Sequence, residues 1–170
     1  MGAASHRYIV ALGSNRRHHR HGGPPQVVAA ALMALDCDGL SLVRASRVVD
    51  SRPLGPSLRT YANAVALVAS SLEPDAMLAR LKRIEAQFGR RRGGQRWSAR
   101  VLDLDLVLWG GGAWASERLV IPHPAYRERP FVLGPMRSWG RVARDPLSGL
   151  TPAHLHARLT RPRALPKPRP

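Results

Sequence analysis

Asp103 and Asp105 stand two residues apart inside the apolar run Val101-Leu102-Asp103-Leu104-Asp105-Leu106-Val107-Leu108-Trp109. Read as an extended strand from Arg96 to Trp109, the run sends alternate side chains to opposite faces. Leu102, Leu104, Leu106 and Leu108 then share one face, and Val101, Asp103, Asp105 and Val107 the other. The two carboxylates fall roughly 7 Å apart along the strand. Like charges so placed repel and call for a cation between them. Just upstream, Arg90, Arg91, Arg92, Arg96 and Arg100 crowd into a loop that is broken by Gly93-Gly94 and carries Trp97. Guanidinium forks match phosphate oxygens. Carboxylates grip hard cations, and magnesium takes one or two of them together with substrate phosphates. Acidic pair, basic loop and aromatic together suggest a metal–polyphosphate site whose arginine loop closes over the phosphates. Each part alone also has a plainer reading: two solvated acids on a strand edge, or a surface loop that contacts nucleic acid.

Other residues could serve the same site. Tyr61 and Asn63 share a strand face. An Asn side chain offers a donor and an acceptor suited to the edge of an amide-like heterocycle, and Tyr61 and Phe131 could stack on a flat ring. His123, within Pro122-His123-Pro124, could meet phosphate. The histidines of the basic loop from Arg16 to Gly23 have no Cys or carboxylate nearby to complete a ligand set, so that loop reads as a solvated one rather than a metal site.

The elements that must position these groups follow from periodicity. A strand over Arg7 to Leu12 ends at a turn, Gly13-Ser14-Asn15. Pro24 and Pro25 open a helix with Val28, Ala31, Leu32 and Leu35 at helical spacing. Leu40 to Asp50 reads as one strand, Ser51 to Ser57 as a Pro/Gly loop, and Tyr61 to Ala69 as a third strand. A helix runs from Pro74 to about Phe88, buries Met77, Leu81, Ile84 and Phe88, and stops at Gly89. After the Asp-bearing strand, Trp114 to Ile121 forms a short hairpin arm, Phe131 to about Trp139 starts a helix, and Thr151 caps a last one to Leu159. The order strand–helix–strand–strand–helix–strand predicts a ferredoxin-like α+β sandwich: an antiparallel sheet with helices on one face and a short extra hairpin. The site belongs on the uncovered face. One domain over residues 1–160 is expected, with a basic Pro-rich tail over 161–170 that has little to bury.

Composition sets the outer bounds. The chain of 170 residues carries a net charge of +16, almost all of it from Arg, with Lys82 and Lys167 the only lysines. Such a balance attracts polyanions without saying which. The single cysteine, Cys37, excludes an intramolecular disulfide and fits a reducing cytoplasm. No apolar run approaches a membrane span, Met1 to Arg7 has no signal-peptide core, and His6 stands where myristoylation needs Ser or Thr.

Taken together, the chain resembles the 6-hydroxymethyl-7,8-dihydropterin pyrophosphokinases of folate biosynthesis from about Tyr8 to His156. The most specific part is Arg96-Trp97-x-x-Arg100-x-Leu102-Asp103-Leu104-Asp105. Around it stand Ala11-Leu12-Gly13-Ser14-Asn15, Pro53-Leu54-Gly55, Tyr61-x-Asn63, Ile84-Glu85 with Gly89-Arg90, and Pro122-His123-Pro124 with Arg129-x-Phe131. The resemblance implies transfer of pyrophosphate from ATP to the pterin hydroxymethyl group, releasing AMP. It implies two Mg2+ ions on Asp103 and Asp105, with Arg90, Arg92 and Arg100 in a mobile lid and its base, touching the phosphates. Arg118, His123 and Arg129 match further ATP contacts, and Glu85 matches a position near the adenine. Trp97 closes over the site. Tyr61 and Phe131 sandwich the pterin, Asn63 bonds its edge, and Ser51 and Leu54 line its pocket. Ser98-Ala99 replace a common Gly-Pro pair, and Val120 replaces a polar residue of some members. The expected partners are small molecules, met by a cytoplasmic monomer. An RNA-binding ferredoxin-like module is the alternative; it lacks paired aromatics on central strands and gives the acidic pair no role.

Overall fold

A computed structural model describes residues 5–51, 60–89 and 101–162. In chain order the elements are β1 (His6–Ser14), α1 (Pro24–Ala34), β2 (Leu40–Ala45), β3 (Val49–Ser51), β4 (Tyr61–Ser70), α2 (Pro74–Gln87), β5 (Asp103–Trp109), β6 (Trp114–Ala115), β7 (Val120–Ile121), α3 (Pro130–Leu133) and α4 (Pro152–Thr160). Single 3-10 segments cover Tyr126–Glu128 and Arg137–Ala143. The sheet runs β2-β4-β1-β5 with β3 also on β4, and every pairing is antiparallel. This is the expected sandwich, and β6 and β7 form the expected hairpin.

β1 and β4 are largely apolar through their middles because both of their faces are covered there. Tyr8, Val10 and Leu12 of β1, with Ala64, Ala66 and Val68 of β4, pack under α1 and α2. The stripe Met77, Leu81, Ile84 and Phe88 is buried there as periodicity predicts. Gly89 ends α2 at φ +81°, a left-handed conformation that favours glycine. The opposite face was expected to be bare. It carries a second core instead, in which Ile9, Ala11, Val65 and Leu67 meet Tyr126, Val132, Leu133, Met136, Trp139 and Leu155 from the C-terminal segment. Only part of that face stays accessible, around half-buried Tyr61, Gly13, Asp103 and Asp105.

Four local expectations are corrected. The strand predicted over Leu40 to Asp50 is two strands, because Ser46 takes over the pairing between them. Its N–H donates to Val65 O at 2.8 Å, while its hydroxyl accepts the Val65 N–H at 2.9 Å, a side chain standing in for a backbone neighbour. The helix from Phe131 stops at Leu133, since Pro135 has no N–H to continue it. Chain direction then changes through a 3-10 segment kinked at Gly140, φ +58°.

The third correction concerns the basic loop. It is not simply solvated: His18 is buried, its Nδ1 accepts the N–H groups of Arg20 and His21, and its ring stacks on His21, which stacks on Phe88. Burial, then the charges of His19, His21 and Arg20, lower the His18 pKa. Fourth, β5 is bulged against β1. Ile9 pairs Leu108 but Val10 pairs Leu106, so Val107 is the extra residue. A one-residue slip exchanges faces. Leu102, Leu104 and Leu106 lie under the helices, whereas Leu108 joins Val107 in the second core and half-buried Trp109 moves to the helix side.

Candidate active site

Strand register assembles the site. β1 extends to Ser14, past the turn expected at Gly13, and places Gly13 opposite Asn63 of β4 and opposite Asp103 of β5. Val49 of β3 lies beyond Asn63, so Val49, Asn63, Gly13 and Asp103 form one row across the sheet. In the next row Ala11 separates Val65 from Asp105. Neighbouring strands are about 4.8 Å apart, so Asn63 and Asp103 stand roughly 10 Å from each other on one face. Between them lies a residue with no side chain. Gly13 was read as a turn residue, and its part as the floor of this row emerges only from pairing.

Asn63 is buried, and its Nδ2 donates to Ser51 Oγ at 2.8 Å and to Tyr61 O at 3.3 Å. A Cβ added at Gly13 would lie 3.4 Å from Asn63 Oδ1, which places that oxygen over the glycine. Alanine fits at that distance, but a larger side chain would fill the floor. Gly13→Val is expected to raise the KM for a heterocycle bound by Asn63 about tenfold, from an overpacking cost of about 1–3 kcal/mol. A steady-state titration of that substrate checks it, with a thermal melt to confirm folding.

The acidic pair is held from the other side by the second core's entry loop. His123 N–H donates to Val107 O at 2.9 Å, which pins that loop to β5. Arg129 Nη1 then reaches Asp105 Oδ2 at 2.8 Å, and His123 Nε2 lies 3.7 Å from the same oxygen. His123 Nδ1 accepts the Ala125 N–H at 3.1 Å, so in the neutral ring the proton sits on Nε2, toward Asp105. Burial lowers the His123 pKa most; Asp105 pulls it up and Arg129 pushes it down, with a net lowering. Two carboxylates about 7 Å apart repel by roughly 2 kcal/mol at an effective dielectric near 20, and Arg129 offsets part of that.

Phe131 lies in the first turn of α3, half-buried, and with Ser51 lines a groove of about 790 Å3 that also carries Arg44, Arg47 and Arg137. Ser51, Tyr61, Asn63 and Phe131 are thus brought to one side of Gly13, and Asp103, Asp105, His123 and Arg129 to the other. Glu85 is fully buried and turned toward β5, where it accepts the Leu104 N–H at 2.7 Å. Arg118 lies exposed in the β6–β7 turn, and its side chain bonds to none of the described residues of the site. Val120 is half-exposed on β7. Leu54, Arg90, Arg92, Trp97 and Arg100, along with the tail from Arg163, lie outside the described residues. Among those described, no group of three or more His, Cys, Asp or Glu side chains could hold a metal by itself, and no helix is long and apolar enough to cross a membrane.

A ferredoxin-like sheet here sets a buried amide and an arginine-flanked acidic pair across an open glycine, an arrangement compatible with phosphoryl-transfer chemistry. The family model for 7,8-dihydro-6-hydroxymethylpterin-pyrophosphokinase (HPPK) matches residues 9–140. The chain belongs to that family. It is 36% identical over 146 residues to the 2-amino-4-hydroxy-6-hydroxymethyldihydropteridine pyrophosphokinase of Synechocystis sp., covering 86% of this chain and 72% of the relative. With the Haemophilus influenzae protein of the same name it shares 40% over 129 residues, 75% of this chain and 77% of that one. A solved Plasmodium falciparum HPPK-DHPS superposes with a TM-score of 0.68 at 11% identity, over 91% of this chain and 44% of that one. That likeness speaks for the fold, and the chain spans less than half of the longer protein.

Proposed function

We propose that the chain transfers the terminal pyrophosphoryl group of ATP to the hydroxymethyl oxygen of 6-hydroxymethyl-7,8-dihydropterin, a step of folate biosynthesis. The hydroxyl oxygen bonds to the β-phosphorus, the bond from that phosphorus to the oxygen of the α-phosphate breaks, and AMP leaves as the hydroxyl proton is released. No covalent intermediate with the protein is needed. Family membership supports the reaction and its co-substrate ATP. The observation that carries the residue assignments is the row Asn63–Gly13–Asp103, which sets pterin recognition and phosphate chemistry side by side on one face.

Each side chain then has a task. Asn63, already oriented by Ser51, would read the pterin edge, and Tyr61 and Phe131 would cover its faces, with Leu54 assigned to the pocket by resemblance. Asp103 and Asp105 would hold two magnesium ions. Their donor set fits: paired hard oxygens, too few for a metal held by protein alone, match an ion that takes the rest of its ligands from phosphates and water. Magnesium bound there supplies neutralisation of phosphate charge. Arg129 and His123 lie against Asp105 and can turn to the phosphates of ATP. Arg90, Arg92, Arg100 and Arg118 would add charge, and Trp97 would exclude water. Catalysis of this kind is mostly positioning and charge neutralisation.

The test is AMP formation from ATP with the reduced pterin. We expect AMP only when the pterin, ATP and magnesium are all present. AMP production at the same rate without pterin would refute the assignment. The RNA-binding alternative finds no support in these relatives, whose names describe a pteridine pyrophosphokinase or folate synthesis. The reaction calls for small-molecule substrates alone. We place it in the cytoplasm with the chain as a monomer, in keeping with the exposed free thiol of Cys37.

A further inference from the structure

We propose that Glu85 is a positioning residue for the acidic pair: from α2 it pins the backbone between Asp103 and Asp105 and so sets the spacing and direction of both carboxylates. The inference deepens the pyrophosphokinase reading and rests on it for the role of the two aspartates. It differs from the role implied by resemblance, because Glu85 here acts through Leu104 and not by touching the nucleotide.

The argument begins with cost. Glu85 has no exposed surface, and a buried carboxylate loses several kcal/mol of hydration unless strong partners replace the water. One partner is Lys82, whose Nζ lies 3.0 Å from Oε1. Another is the Leu104 N–H, 2.7 Å from that oxygen. A charge-assisted bond to a main-chain amide is among the stronger hydrogen bonds a protein makes.

Topology explains why that amide is available. Among the described residues β5 pairs only with β1, so its far side is a sheet edge. In an antiparallel ladder, successive residues turn their N–H groups alternately to the partner and away from it. The Leu104 amide, which Glu85 accepts, turns away from β1 toward α2. Glu85 therefore occupies the place of a missing strand at a single point, and that point is the residue between the two aspartates.

Among the described residues β5 has a single strand partner, so the pin adds to its pairing with β1 at this end. The ladder is already broken once, by the bulge at Val107. A further one-residue slip would exchange the faces of Leu104 and of both aspartates. The buried Leu102, Leu104 and Leu106 resist such a slip from below, and Glu85 resists it from the side. Partners that orient a ligand residue without touching the metal typically alter affinity or activity about 10–100-fold when removed.

Two variants separate the contributions. Glu85→Gln keeps an oxygen that can accept the Leu104 N–H, whereas Glu85→Ala removes it. Three quantities are read: hydrogen exchange at the Leu104 amide, the magnesium concentration needed to bind a non-hydrolysable ATP analogue, and the kcat and KM values. In the wild-type protein the Leu104 amide is expected to exchange slowly, unlike an open edge amide. In Glu85→Ala it speeds up, and the magnesium requirement rises about 10–100-fold, with kcat reduced and the pterin KM moved little. Glu85→Gln recovers most of both losses. A folded Glu85→Ala with the wild-type magnesium requirement would overturn the proposal. So would Glu85→Gln matching the alanine variant, which would make the charge and not the hydrogen bond decisive. If the alanine variant does not fold, rapid wild-type exchange at Leu104 or a severely impaired Glu85→Gln would still overturn it, and slow exchange with a mildly affected Gln variant upholds it. Absence of pterin-dependent AMP in the wild type would instead count against the functional reading, leaving the exchange and magnesium measurements to judge Glu85.

Discussion

Asp105→Ala is expected to lower AMP formation by about a thousandfold or more, since a cation neutralising transferring phosphates contributes several kcal/mol to the transition state and each 1.4 kcal/mol is tenfold. Asp105 meets Arg129 at 2.8 Å and lies in line with Asp103 on the exposed face of β5. Removing it takes away half of the acidic pair and leaves Arg129 without its carboxylate. The side chain is half-buried and outside both cores, so the fold should survive. Asp105→Asn keeps the shape but not the charge and should be nearly as inactive. Pterin binding, proposed to depend on Asn63, Tyr61 and Phe131, should change little in either variant. A coupled assay for AMP, run beside pterin binding measured by fluorescence, checks both statements. Activity within tenfold of the wild type would remove Asp105 from the metal–phosphate role.

The second large effect is on stability. Asp145 is fully buried and ties the second core together: Arg127 donates to it from Nε at 2.6 Å and from Nη2 at 2.9 Å, and the Leu147 N–H at 2.9 Å. Asp145→Ala should cost about 3–5 kcal/mol, the usual result of breaking a buried ion pair from one side. Burial alone would raise the Asp145 pKa. Hydrogen bonds from Arg127 and from the Leu147 and Ser148 N–H groups outweigh it and hold the carboxyl well below the usual range. A lowered native pKa contributes stability that is complete above the unfolded value, near 4, and is lost as pH falls toward the native one. Urea unfolding at pH 7 should therefore show the full difference between variant and wild type, and the difference should shrink progressively below about pH 4. Equal stability at pH 7 would mean that the network contributes nothing net.

Much of this was legible in the chain. The period-two run around Asp103 and Asp105, the stripe Met77–Leu81–Ile84–Phe88 and the Pro and Gly punctuation are local signals, and local signals come from backbone geometry and side-chain spacing. They were enough for the sandwich, the hairpin, both long helices and the capping of α4 by Thr151. Ser51, Tyr61, Asn63 and Phe131 lie on one side of Gly13 and Asp103, Asp105, His123 and Arg129 on the other, whereas Glu85 and Arg118, grouped with the phosphate side by resemblance, do not join that row.

What pattern could not show depended on partners far away in sequence. Leu108 changed faces because β1 imposed a bulge on β5, and alternation within β5 carries no trace of its neighbour's register. Ser46 split a strand because its hydroxyl found Val65, and His18 was buried because Phe88 lay beneath the loop. Glu85 was matched by resemblance to a position near the adenine, and its hold on β5 emerged only once α2 was laid along that strand's open edge. Which residues are candidates for the chemistry was thus legible from type and spacing along the chain. Where they point, what holds them and which face stays open were decided by tertiary pairing, because an edge, a bulge and a buried charge exist only between elements and never within one.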